Sequence, residues 1–121
     1  MKILVVDDEG IVLQCCQRVL ESEGFEVVLV PSAEAALQTM ETHASNSILP
    51  SVILIDLKMP IHDGMYLMNI MKQKWPDIPI VIMSGYSTDE TIIQAKKQGA
   101  CCFIAKPFTP DELFATILQV I

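Results

Sequence analysis

Basic residues are scarce. Eight Lys and Arg stand against fifteen Asp and Glu, for a net charge of -7. That balance repels phosphate backbones and leaves no basic stripe, which argues against direct nucleic-acid binding. Long hydrophobic runs are also missing. Stretches such as Ile3 to Val6 and Val27 to Val30 fall far short of the roughly 18 residues of a membrane-spanning helix, so no membrane association is expected. Met1-Lys2 leads straight into a strand-like segment with no cleavage site behind it, so a secretory signal is absent and a soluble, cytoplasmic protein is expected. Histidine is limited to His43 and His62, neither with a metal-spaced partner, and both read as solvated. The four cysteines form two adjacent pairs, Cys15-Cys16 and Cys101-Cys102, without CxxC spacing. A zinc site is therefore not indicated, and buried free thiols are expected. No linker or repeat divides the 121 residues, so residues 1–121 are read as one domain.

Half of the residues (51%) are hydrophobic, ample material for a core. Short β-branched runs alternate with longer amphipathic stretches, the pattern of a parallel α/β sheet. The runs are Lys2 to Val6, Phe25 to Val30, Val52 to Ile55, Ile80 to Met83 and Cys101 to Ala105. Helices are expected near Ile11 to Glu23, Ala33 to His43, Met65 to Lys74, Thr88 to Gln98 and from Pro110 to the end. Gly24 and Gly99 stand where left-handed C-terminal caps belong, while Ser32 and Thr109 can cap N-termini, the latter followed by Pro110. The runs are apolar throughout rather than alternating, as in strands buried on both faces of a doubly wound sheet. Ala44 to Ser51 reads as a long, mobile loop.

In such a sheet the ligand site lies beyond the carboxyl ends of the strands, at the point where the winding reverses. Asp7-Asp8-Glu9 follow the first strand, Asp56 the third, Ser84-Gly85 the fourth and Lys106-Pro107 the fifth. Acids, a hydroxyl and a lysine thus converge on one rim. Carboxylates gathered this closely repel one another, and a hard divalent cation with oxygen ligands relieves the repulsion, Mg2+ being the natural candidate. A carboxylate nucleophile, a lysine and a hydroxyl donor beside such an ion are the tools of phosphoryl transfer.

Val5-Val-Asp-Asp-Glu9, Asp56-Leu-Lys-Met-Pro-Ile-His-Asp-Gly64, Met83-Ser-Gly85 and Lys106-Pro-Phe108 together resemble, in order and spacing, the receiver domains of two-component response regulators. The resemblance covers the whole chain. It implies a flavodoxin-like, five-stranded parallel sheet of order 2-1-3-4-5 with helices on both faces. It also implies that Asp56 accepts a phosphoryl group from a phosphohistidine of a sensor histidine kinase or phosphotransfer protein. Asp8 and Asp56 would ligate Mg2+ directly, Asp7 through water and Lys58 through its backbone carbonyl. Ser84 matches the switch hydroxyl, Phe103 the switch aromatic and Lys106 the phosphate-binding lysine, with a cis peptide bond expected between Lys106 and Pro107. Phe in place of the commoner Tyr at 103 is a modest departure, as is the somewhat extended loop before Ser51.

Such a domain catalyses only its own phosphorylation and dephosphorylation, and is a signalling module rather than an enzyme with a separate substrate. Its phosphorylation would control an output domain or partner, or self-association through the face formed by helix 4, strand 5 and helix 5. Positions Lys58 and Tyr86 would tune the lifetime of the phosphorylated state, a bulky Tyr86 slowing it by shielding the phosphorus from water. Two other classes fit less well. A phosphatase of the haloacid dehalogenase type needs an Asp-x-Asp motif near the first strand, and Asp56-Leu-Lys58 lacks the second acid. A flavin carrier needs a hydroxyl- and glycine-rich phosphate loop where Asp7-Asp8-Glu9 stand. Met65, Met68 and Met71 with Leu67 read as a core face, Tyr66 and Ile70 as an exposed apolar pair. The apolar face of Leu113, Phe114, Ile117, Leu118 and Ile121 is cut short at the last residue, which fits either a stand-alone receiver or one cut from a longer regulator bearing an output domain.

Overall fold

The structure, a computed structural model, describes residues 1–59, 61, 63–85 and 88–121. Five strands alternate with five helices: β1 Lys2–Val6, α1 Gly10–Ser22, β2 Glu26–Val30, α2 Ala33–Ser45, β3 Val52–Asp56, α3 Gly64–Lys74, β4 Ile80–Ser84, α4 Asp89–Lys97, β5 Cys102–Ala105 and α5 Pro110–Val120. All neighbouring strand pairs are parallel, in the order β2-β1-β3-β4-β5. The winding reverses between β1 and β3, so a crevice opens above their carboxyl ends.

Strand side chains alternate between two apolar layers. Leu4, Val6, Ile53, Ile55, Ile80 and Ile82 pack with α2, α3 and Ala95 of α4. Ile3, Val5, Val52, Leu54, Val81, Met83 and Ile104 pack with Cys16 and Leu20 of α1 and Leu113 and Ile117 of α5. Both rows are apolar, so the strands read as unbroken runs. The expected core face of α3 is present: Leu67, Met68 and Met71 are fully buried and Met65 packs against them.

Local chemistry sets the ends. Gly24 (φ 88°) and Gly99 (φ 116°) both adopt the left-handed conformation past α1 and α4, where a Cβ would be strained. The Ser32 hydroxyl accepts from Ala35 N–H, and Thr109 and Glu112 form a reciprocal capping box before Pro110. Asp63, not singled out in the sequence, caps α3 by accepting from Tyr66 N–H.

Several expectations need correction. Only Cys16 is buried; Cys15 and Cys101 are exposed and Cys102 is intermediate, all four free. Cys16 shares the inward stripe of Leu20 one turn on, and its neighbour Cys15 is rotated about 100° away from it. The loop expected from Ala44 is shorter, because α2 continues to Ser45 and closes through Ser47 (φ 58°) with Ile48 N–H donating to His43 C=O. His43 is half-buried rather than solvated; His62 lies outside the described residues. Tyr66 is exposed, but Ile70 is only partly so. On α5, Leu113 and Ile117 are buried and Leu118 and Ile121 exposed. Among the described residues no helix is long and apolar enough to cross a membrane.

Candidate functional site

The alternation that fills the two layers also aims the polar residues at the strand ends. Ile3 and Val5 lead in register to Asp7, Val52 and Leu54 to Asp56, and Ile104 to Lys106, all on the row that faces α1 and α5. Strand β3 carries Asp56 into the ladder, paired with Met83. Asp7 N–H donates to Val30 C=O and Lys106 N–H to Ser84 C=O. The backbone thus anchors each charged group before its side chain makes a contact.

Lys106 Nζ lies 2.7 Å from Asp7 Oδ2, 3.1 Å from Asp56 Oδ1 and 3.5 Å from Glu9 Oε1. Asp7 is 0% and Asp56 3% exposed. Two buried carboxylates share one ammonium, and the Asp7 Oδ1 atom also accepts from Glu9 N–H at 2.9 Å. Burial, followed by the charge of Asp7, raises the Asp56 carboxyl from 3.8 to about 6, against the opposing hydrogen bond from Lys106. For Lys106, burial alone disfavours the ammonium, but the hydrogen bond and charge of Asp7, with those of Asp56, outweigh it and raise the pKa. Burial, then Cys15 and Asp7, pushes the nearby Cys16 thiol up to about 12, which keeps it protonated and inert.

One ligand oxygen from each of Asp7, Asp8, Glu9 and Asp56 falls within 4.8 Å of the others. An all-oxygen, carboxylate-rich donor set of this kind suits a hard divalent cation, so the residues fit a metal ion. Sequence reasoning placed Asp7, Asp8 and Asp56 here; the inward turn of Glu9 onto Lys106 was not anticipated. Lys58 is exposed on the loop after β3 and lines the same cleft, a space of about 510 Å3 bordered also by Cys15, Ser84, Pro107 and Phe108.

Ser84 and Phe103 occupy the opposite alternation. Ser84 follows Ile80 and Ile82 and is buried, while Phe103 is half-buried against the α2–α4 layer. The Lys106–Pro107 peptide bond is cis. Tyr86, expected to shield the site, lies outside the described residues.

Gly64 is a further determinant. A Cβ there would overlap the Asp56 carbonyl oxygen and stand 2.9 Å from Leu57 Cα. Gly64 N–H donates to Leu57 C=O at 2.9 Å. Only glycine lets α3 start flush against the backbone that presents Asp56. The Asp-Gly pair at 63–64 was a visible signal; its packing role was not.

The response regulator receiver domain family matches residues 3–118. The DNA-binding transcriptional regulator NtrC of Proteus hauseri is 34% identical over 98% of the chain, and the nitrogen assimilation regulatory protein NtrX of Azorhizobium caulinodans 35% over 92%. The chain spans about a quarter (24%) of the length of each. Among solved structures, the receiver domain of NtrX from Brucella abortus superposes with a TM-score of 0.89 at 32% identity, covering 98% of this chain and 96% of that one. The chemotaxis protein CheY4 of Vibrio cholerae gives 0.89 at 26% identity, covering 99% and 98%. The chain belongs to the receiver domains of response regulators, the signalling domains of two-component systems.

Proposed function

We propose that Asp56 accepts a phosphoryl group from the phosphohistidine of a sensor kinase or phosphotransfer protein in a Mg2+-dependent reaction. The observation that carries this reading is the shared ammonium: Lys106 Nζ bridges buried Asp56 and Asp7 at 3.1 and 2.7 Å at the mouth of the cleft. An Asp56 oxygen supplies the electron pair for the new P–O bond as the P–N bond breaks, and that bond's pair returns to the departing imidazole. Lys106 is within one side-chain movement of the incoming phosphoryl oxygens and offsets their charge. Asp7, Asp8, Asp56 and the Lys58 carbonyl would hold Mg2+, which when bound supplies charge neutralisation for both the clustered acids and the phosphoryl oxygens. Ser84, buried at the end of β4, donates to a phosphoryl oxygen, and Phe103 follows it on the α4 side of the sheet. Residues 1–121 act as one such module, whose altered α4–β5–α5 face engages an output domain, a partner or a second copy.

Intact-mass measurement with phosphoramidate and Mg2+ is expected to show one added phosphoryl group. Asp56→Asn or chelation should abolish it. Labelling that survives both rejects Asp56 as the acceptor. Ser84→Ala should still be labelled but lose the chemical-shift response around Phe103; an identical response in parent and variant rejects the coupling.

A further inference from the structure

Glu9 occupies the N-cap position of α1, yet its carboxylate makes no capping hydrogen bond. It turns instead toward Lys106, 3.5 Å from Nζ, with its side chain still 64% exposed. Of the three carboxylates around Lys106 it is the solvent-exposed one, and it lines the same cleft as Asp56 and Lys106. Lys106 is already satisfied at shorter distance by Asp7 and Asp56. The third carboxylate adds little to holding the lysine and chiefly adds negative charge to the approach.

We propose that Glu9 is a specificity-determining residue for the phosphodonor, selecting by charge against doubly negative acyl phosphates and for donors with one net negative charge, such as phosphoramidate or a phosphorylated imidazole whose ring is protonated. The inference rests on Asp56 being the acceptor. It follows from Coulomb repulsion in the cleft: every donor is an anion, and one that reaches Asp56 and Lys106 comes close to the exposed Glu9 carboxylate that lines the same cleft. Across about 6 Å of water-like medium one unit charge repels another enough to change a rate about 3-fold, and a dianion by the square of that, about 10-fold. The discrimination between the two donor classes is then also about 3-fold, and it fades as salt screens the mouth. A purely structural role for Glu9 would alter both donors by one common factor, as would simple release of Lys106.

The test uses intact-mass time courses at low ionic strength with acetyl phosphate, a dianion, and phosphoramidate, which carries one net negative charge near neutral pH. Parent, Glu9→Gln and Glu9→Asp are compared at Mg2+ concentrations shown by calorimetric titration to saturate each. The expected result is a gain for Glu9→Gln of about 10-fold with acetyl phosphate and about 3-fold with phosphoramidate. Glu9→Asp, which keeps the charge, should keep the parent's ratio between the two donors, and molar salt should erase the difference. Rates for Glu9→Gln that are unchanged or lower with acetyl phosphate, or that rise by the same factor with both donors, overturn the proposal while leaving Asp56 as acceptor. A parent protein labelled by neither donor overturns the Asp56 reading itself, and this one with it.

Discussion

Replacing Asp56 by Asn should make the metal-free protein more stable at neutral pH, although it removes the proposed acceptor carboxylate. The folded protein holds Asp56 at about 6 against 3.8 for the free group, because burial and Asp7 disfavour its charge more than Lys106 favours it. A gap of about two units corresponds to about 3 kcal/mol. Since the folded value is the higher one, the native state binds this proton more tightly than the unfolded chain. Stability from Asp56 is therefore present below about pH 4 and is lost progressively as pH rises through about 6. Asn has nearly the shape of protonated Asp and can still accept from Lys106. At pH 7.5 in chelator the variant should gain about 3 kcal/mol, roughly a 10 °C rise in Tm for a chain of this length. At pH 4 parent and variant should coincide. Calorimetric melts at both pH values, repeated with Mg2+, measure this directly. The ion should narrow the gap by raising the parent more than the variant, because the parent has one more carboxylate to bind it. A variant that melts at or below the parent at pH 7.5 without metal, or a gap independent of pH, would refute the account of Asp56 as a carboxylate ionised at a cost.

The same electrostatics predict that Lys106→Met, which leaves two buried like charges unpaired, costs about 3–5 kcal/mol in chelator and recovers part of it with Mg2+; urea denaturation with and without the ion measures both. Gly64→Ala should cost about 1–3 kcal/mol and shift the backbone amide resonances of Asp56 and Leu57, since its Cβ has no room against the Asp56 carbonyl. Unmoved resonances would show that the helix start can slide. Ile61 is exposed (88%) and holds φ 69°, a conformation that a β-branched residue adopts only under strain. Ile61→Asn should therefore raise stability by about 1 kcal/mol in thermal melts.

The strand ends and the charges just past them were legible because one rule governs both: alternation fixes the faces, and parallel strands bring all carboxyl ends to one rim. Expected strand limits moved by a residue where the ladder continued, as at Asp56 and Ser84, or began later, as at Glu26 and Cys102. Side-chain burial within a helix was less legible. Cys15 and Cys16 are identical in type, and only their angular position separates the exposed thiol from the buried one. The end of α2 was misread because Ala44 and Ser45 suit a helix and a loop alike; Ser47 in the left-handed region makes the turn. Three site features depend on contacts that no pattern records. These are the swing of Glu9 onto Lys106, the seat of Gly64 against Asp56, and the pairing of Asp7 with a lysine 99 positions away.

Sheet alternation also bears on how a change at Asp56 can be felt elsewhere. Asp7, Asp56 and Lys106 extend the rows that face α1 and α5, whereas Ser84 and Phe103 extend those that face α2, α3 and α4. Charge chemistry and the proposed readout therefore start on opposite faces of one sheet. A phosphoryl group on Asp56, at the end of the central strand, would project past the rim where no strand separates the faces, into the cleft that Lys106 and Ser84 also line. A group attached further down β3 would be confined to one layer. Neutralising Asp56 alone, as Asn does, changes the Lys106 side and leaves Ser84 without a new acceptor, so the stability gain expected of that variant should come without the response at Phe103.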